Sequence, residues 1–259
     1  MEKRGSHFVL VHGSCHGAWC WYKVAAQLKS TGHKVTALDM AASGVHPKKV
    51  HEVSSVSDYA EPLSDFMASL PPEEKVILVG HSAGGVCTSL AMEMFPQKIS
   101  VGVFVAAFMP GPDLSFSTIN GEYGRSIDSF MDTQFTSDQG PGHPPTAAIF
   151  GPKFLESKLY QLSPLEDLVL ARSLVRPVSL STTALSSEEE LTKEKYGSVR
   201  RVYIVTKEDN VVKPNLQEWM IENNPVNEVK VINGSDHMVM FSKPLELRSC
   251  LQEIAEKYY

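Results

Sequence analysis

The sequence predicts an α/β fold built on a mostly parallel sheet, and three observations carry that prediction. Six short β-branched runs recur along the chain, separated by segments whose apolar residues fall near helical spacing. Strands that alternate with helices imply right-handed crossovers and a parallel sheet covered on both faces. Most of the runs are apolar without interruption, as strands buried on both sides are. With 259 residues, 42 % hydrophobic and 21 % charged, the chain has room for one large domain and an insertion.

The elements follow in order. His7 to Val11 is the first strand, and a loop rich in Gly and His leads to a helix over Trp19 to Ser30. Val35 to Leu38 is the second strand, and a helix over Ser57 to Leu70 precedes the third, Val76 to Val79. A helix over Val86 to Met94 leads to the fourth strand, Val101 to Val105. The last two strands, Arg201 to Val205 and Val229 to Ile232, alternate with helices over Pro214 to Asn223 and Pro244 to Lys257. From Met109 to about Ser198 the rhythm breaks. That stretch holds Pro110-Gly111-Pro112, the Gly/Pro run of residues 140–145 and several amphipathic pieces. A structureless loop of such length does not belong in a compact domain. The expectation is an inserted, mainly helical cap over 109–198, lying on the strand ends of a core formed by 1–108 and 199–259.

A net charge of −6, with no Lys/Arg cluster interleaved with aromatics, argues against a nucleic-acid surface. Lys48-Lys49 reads as a solvated loop, and Glu188-Glu189-Glu190 as a solvated helix start. The first residues run into a strand without a secretory apolar core, and no apolar run approaches membrane-spanning length. Cys15, Cys20, Cys87 and Cys250 lack CxxC spacing, so they read as reduced thiols of a cytoplasmic protein.

The chemistry begins at Gly80-His81-Ser82-Ala83-Gly84, placed between an apolar strand and a helix. Composition alone supplies a Gly-x-Ser-x-Gly in roughly one chain of this length in ten, so context has to decide. A sharp strand-to-helix turn exposes the serine hydroxyl as a nucleophile, and the flanking glycines let backbone approach it. Such a serine needs a base, and the base needs a third group to fix its tautomer. On folds of this kind they follow in the order Ser, Asp or Glu, His, each beyond a later strand. His237 follows the last strand. Glu208 and Asp209 compete at the end of the strand before it, and Asp209 is preferred; Asp236 reads as a turn residue. The backbone N–H groups of Ser14 and Ala83 are the expected oxyanion donors. A zinc site on His12, Cys15, His16 and Cys20 lacks a second recognisable ligand pair, so no metal is expected.

With these residues in place, the chain resembles the plant methylesterase and hydroxynitrile lyase family of α/β-hydrolases. The resemblance spans nearly the whole length. It rests on residues 7–13, Cys15-His16-Gly17-Ala18-Trp19, residues 32–39, residues 74–82, Ala107-Phe108-Met109-Pro110, residues 151–155, Tyr196-Gly197-Ser198-Val199 and Asp236-His237-Met238. It implies an α/β-hydrolase fold and a serine carboxylesterase acting on a small-molecule ester, usually a methyl ester, of a plant hormone or specialised metabolite. It implies no cofactor, no nucleic acid and no membrane. It admits a homodimer, which no stripe in the sequence marks. The pocket it implies includes Gly13, Phe108, Tyr123, Phe130, Tyr160 and Met238.

Some positions depart from parts of the family. Lyases carry Thr at the position of Gly13 and Lys at that of Met238, so this chain lacks the cation that handles cyanide. Ala83 is smaller than the residue many relatives place after the nucleophile, and Phe130 stands where Trp is common. Both changes imply a roomier acyl pocket. The alternatives on the same triad are a lyase or decarboxylating enzyme, or a slow-turnover hormone-binding receptor.

Overall fold

The computed structural model describes residues 5–183 and 189–259; Met1 to Arg4 and Glu188 lie outside the described residues. Its centre is a six-stranded sheet in the order β2-β1-β3-β4-β8-β9, parallel throughout. The strands are β1 (His7–Val11), β2 (Lys34–Leu38), β3 (Val76–His81), β4 (Ile99–Val105), β8 (Arg201–Thr206) and β9 (Glu228–Ile232). The first helix, α1 (Tyr22–Ser30), packs on the last, α9 (Pro244–Tyr258). Helices α2 (Val56–Ser69) and α3 (Gly84–Met94) pack on each other. α7 (Pro214–Asn223) lies against β8.

Continuous apolar character matches burial on both sides in the central strands: β1 and β3 are buried along their whole length. The edges behave differently. In β9, Val229 and Val231 are 45 % and 51 % exposed, because an edge strand has a neighbour on one side only. Helix starts follow local chemistry. Ser55 caps α2 by accepting the Asp58 N–H at 3.0 Å, and Pro214 and Pro244 occupy first turns where a missing N–H costs nothing.

Between β4 and β8 the chain leaves the sheet. This insertion carries α4 (Phe116–Ser126), α5 (Pro152–Phe154), a π-helical turn (Leu155–Leu159) and α6 (Leu165–Leu174). Helices are not the whole of it. β5 (Gln134–Thr136), β6 (Ala147–Ile149) and β7 (Val178–Ser179) form an antiparallel three-stranded sheet. Strands of two or three residues are too short to leave a period-two signature in the sequence.

The acidic run near 189 is also different from its expectation. Glu189 is buried, and its Oε1 accepts the Ser57 N–H at 2.7 Å and the Ser57 hydroxyl. It serves the first turn of α2, where unpaired N–H groups and the helix dipole favour a carboxylate. Among the described residues no helix is long and apolar enough to cross a membrane.

Candidate active site

The strand ends at one edge of the sheet bring three loops together. Ser82 lies on the turn between β3 and α3, with φ at 53°, a left-handed conformation that a serine adopts only under constraint. The flanking glycines are required by close approach. A Cβ on Gly80 would sit 2.3 Å from Thr88 Oγ1, and one on Gly84 would sit 2.5 Å from the His12 carbonyl oxygen.

His237 follows β9, and its Nε2 lies 3.0 Å from Ser82 Oγ. Its Nδ1 lies 2.8 Å from Asp209 Oδ2. A carboxylate only accepts, so Nδ1 carries the proton and Nε2 is free to accept from the serine. All three side chains are buried. Asp209 is saturated: Oδ2 also accepts from Thr206 Oγ1 at 3.0 Å, and Oδ1 from the Val211 and Val212 N–H groups at 2.7 and 2.9 Å. Glu208 points elsewhere, its Oε2 accepting the Ser235 N–H at 3.0 Å.

The loop after β1 faces the serine. His12 Nε2 accepts the Met40 N–H at 3.0 Å, so its Nδ1 carries the proton and donates to the Gly13 carbonyl at 2.8 Å. That carbonyl belongs to the same peptide as the Ser14 N–H, so His12 fixes the plane of the expected donor. Among the described residues neither the Ser14 nor the Ala83 N–H meets a backbone acceptor. Both residues line the space above Ser82. The two histidines of the considered zinc set, His12 and His16, have both ring nitrogens engaged in hydrogen bonds. Among the described residues no three His, Cys, Asp or Glu side chains converge as a metal site.

That space is a cavity of about 540 Å³. Gly13, Phe108, Tyr123, Phe130 and Met238 line it. Tyr160 does not: its hydroxyl lies 2.7 Å from His16 Nε2, and its ring stacks on Phe241. Phe116, Phe135 and Phe150 add aromatic wall that sequence reasoning missed, because the insertion shows no clear pattern at those positions. Phe130 packs edge-on against Phe135, with centroids 5.7 Å apart, at the exposed rim.

Two further residues escaped the sequence reading. His81, inside the nucleophile motif, donates from Nε2 to the His237 carbonyl at 2.8 Å, and the two rings lie 4.7 Å apart. Burial holds the His81 pKa well below the ordinary imidazole range, and the neighbouring His237 charge adds to this. A neutral His81 places no charge beside His237. Asp236 is not a simple turn residue. It is fully buried, with Oδ1 accepting the Met238 N–H at 3.0 Å and Oδ2 accepting from Leu162 N–H and Ser163 Oγ at 2.9 and 2.8 Å. Burial raises its pKa above the usual carboxylate value.

A hydrogen-bonded Ser, Asp and His after β3, β8 and β9 of a parallel sheet, under an inserted segment, defines the class of serine-type α/β-hydrolases. A sequence profile of the alpha/beta hydrolase family matches residues 8–249. The chain is 61 % identical to methyl jasmonate esterase 1 of Vitis vinifera over 260 residues, covering 100 % of both chains. The solved structure of tomato methylketone synthase I complexed with 2-tridecanone shares 50 % identity and superposes with a TM-score of 0.94, covering 98 % of this chain and 99 % of that one. Polyneuridine aldehyde esterase shares 44 % identity at a TM-score of 0.92, covering 97 % and 99 %. The chain belongs to the α/β-hydrolase family, and within it to the plant methylesterase and hydroxynitrile lyase group. It is a carboxylic ester hydrolase.

Proposed function

We propose that the chain hydrolyses the methyl ester of a hormone-like or specialised plant metabolite, with Ser82, His237 and Asp209 as its triad. The observation that carries this reading is the relay Asp209–His237–Ser82, at 2.8 and 3.0 Å, under a largely apolar cavity. Ser82 Oγ attacks the ester carbonyl while His237 Nε2 takes its proton, and Asp209 stabilises the imidazolium that forms. The charge on the carbonyl oxygen falls to the Ser14 and Ala83 N–H groups, an interaction worth roughly 3–4 kcal/mol per donor in such sites. His237 returns the proton to the leaving methanol. A water activated by the same nitrogen then attacks the acyl-enzyme, releasing the acid and restoring Ser82.

The cavity volume lies within the roughly 300–1,000 Å³ of small-molecule sites. Its apolar walls suit the acyl part of an ester, and the small Ala83 side chain leaves room beside the nucleophile. Both features support an acyl group bulkier than a single aromatic ring, a reading in keeping with the methyl jasmonate and polyneuridine aldehyde esterases among its relatives. Met238 is buried and carries no charge, and among the described residues no Lys or Arg lines the cavity; this favours hydrolysis over the lyase reaction. Free Cys15, Cys20, Cys87 and Cys250 support a reducing, cytoplasmic setting.

A panel of methyl esters graded by acyl size, assayed beside a Ser82→Ala control, tests the proposal. Multiple turnover by the native chain and none by the control is expected. Tight binding with less than one turnover per site would replace it with the receptor reading, and cyanide release from a cyanohydrin would replace it with the lyase.

A further inference from the structure

The π-helical turn Leu155–Leu159 is closed by the Tyr160 N–H on the Leu155 carbonyl at 2.9 Å. The residues from Leu159 onward then touch three of the loops around the site, those that carry Ser14, Asp209 and His237. The Leu159 carbonyl accepts the Met238 N–H at 3.3 Å, directly after His237. The Tyr160 hydroxyl meets His16 in the oxyanion loop at 2.7 Å. Gln161 Nε2 donates to the carbonyl of Glu208, next to Asp209, at 2.7 Å. Leu162 N–H and Ser163 Oγ donate to Asp236, directly before His237.

The protons in this set can be placed. His16 Nδ1 lies 2.8 Å from the Ser14 carbonyl, which only accepts, so Nδ1 carries a hydrogen. Burial keeps the ring neutral, pushing its pKa down to about 3, so Nε2 is bare and Tyr160 donates to it. The bonds run in one direction, from Tyr160 through His16 to the Ser14 carbonyl. On the other side, Asp236 divides its oxygens between the Met238 N–H of the histidine loop and the inserted segment. Leu159 and His16 line the cavity, but Tyr160, Gln161 and Ser163 do not, so these three side chains reach the loops and not a bound ester.

We propose that Leu159–Ser163 is a positioning element that sets the spacing of the oxyanion, acid and histidine loops, with Tyr160 and Ser163 as its positioning residues. A displacement of about 1 Å at reacting atoms can cost on the order of 10² in rate, so bonds outside the cavity can govern turnover. π-helical turns often mark functional sites, and here the turn and the residues after it deliver five consecutive partners to three separate loops. The inference rests on the serine-esterase reading.

The test measures kcat and KM for 4-nitrophenyl acetate on Tyr160→Phe, Ser163→Ala, the double variant and Gln161→Leu. Active sites are counted by fluorophosphonate labelling, so misfolded protein drops out, and the labelling rate gives a second readout of Ser82 reactivity. The expected result is a loss of about tenfold or more in kcat per site for Tyr160→Phe and Ser163→Ala, with KM within about twofold. The double variant should lose less than the product of the two, because both act through one segment. Gln161→Leu removes one surface contact and should show a smaller loss of the same kind. A kcat per site within twofold of the native chain, whatever the melting temperature, would overturn the proposal. So would losses that multiply fully. Turnover surviving in Ser82→Ala would instead overturn the esterase reading itself.

Discussion

Asp209 accepts from Val211, Val212, Thr206 and His237, and that set decides what an amide in its place would do. If the oxygen of Asp209→Asn keeps the two backbone N–H groups, its NH₂ faces His237 Nδ1. The ring must then accept at Nδ1 and carry its proton on Nε2, where it can no longer accept from Ser82. A loss on the order of 10⁴ in kcat is expected with little change in fold. A full-rate Asn variant would hand the carboxylate role to Glu208. At Ala83 the backbone and the side chain have separate tasks in the proposed mechanism, since the N–H is the proposed oxyanion donor and the residue also forms cavity wall. Ala83→Leu should therefore lower the ratio of activity on bulky to small esters while hydrolysis continues. If the ratio holds, the wall at Ala83 does not select the acyl group.

Among the elements, the connection from α6 to β7 carries the strongest clamp on the loop after β2. The Arg176 guanidinium donates to the carbonyls of Gly44, His46 and Lys48 at 2.9, 2.8 and 3.0 Å, and its backbone N–H reaches the Cys15 carbonyl at 3.0 Å. Removing the side chain leaves three carbonyls to find other donors, at about 1 kcal/mol each where water reaches them. Arg176→Ala should lower the melting temperature by roughly 6–12 °C, at about 2–4 °C per kcal/mol for a chain of this size. An unchanged transition in scanning calorimetry would show that the loop holds its shape without the clamp. Arg176→Lys should recover only part of the loss, because a lysine presents no planar fork.

For the whole molecule, histidine burial sets the response to acid. Burial lowers the pKa of His7, His12, His16, His33 and His81 below the ordinary value. Unfolding returns each to about 6.5, so below that pH the unfolded chain takes up protons that the folded chain refuses. Their contribution is complete above about pH 6.5 and is lost as the pH falls, down to about 3 for His16. Asp236, raised by burial, acts with the opposite sign but is a single group. Each fully titrating histidine contributes about 1.4 kcal/mol per pH unit. The urea midpoint should therefore fall as the pH drops below 6.5, with the fully buried His12, His16 and His81 contributing most and the less deeply buried His7 and His33 less. A midpoint that stays flat across this range would show that these histidines protonate in the folded state.

The order of strands and helices and the candidates Ser82, His237 and Asp209 were legible in the amino-acid sequence, because strands, turns and chain order mark each of them. A strand running into Gly80, Ser82 and Gly84, an Asp after a late strand and a His after the last are recognised together by their order along the chain. The rest depended on which remote segments meet. Glu189 reads as a solvated acid until Ser57, 132 residues away, is brought to it, and Tyr160 reads as pocket wall until His16, 144 residues away, accepts its hydrogen bond. Asp236 reads as a turn residue until Leu162 and Ser163 reach its carboxylate. A motif in the chain specifies chemistry where the chemistry is carried by neighbours in sequence. Burial and hydrogen-bond partnership are properties of packing, so only the tertiary structure could assign the residues that hold the triad in place.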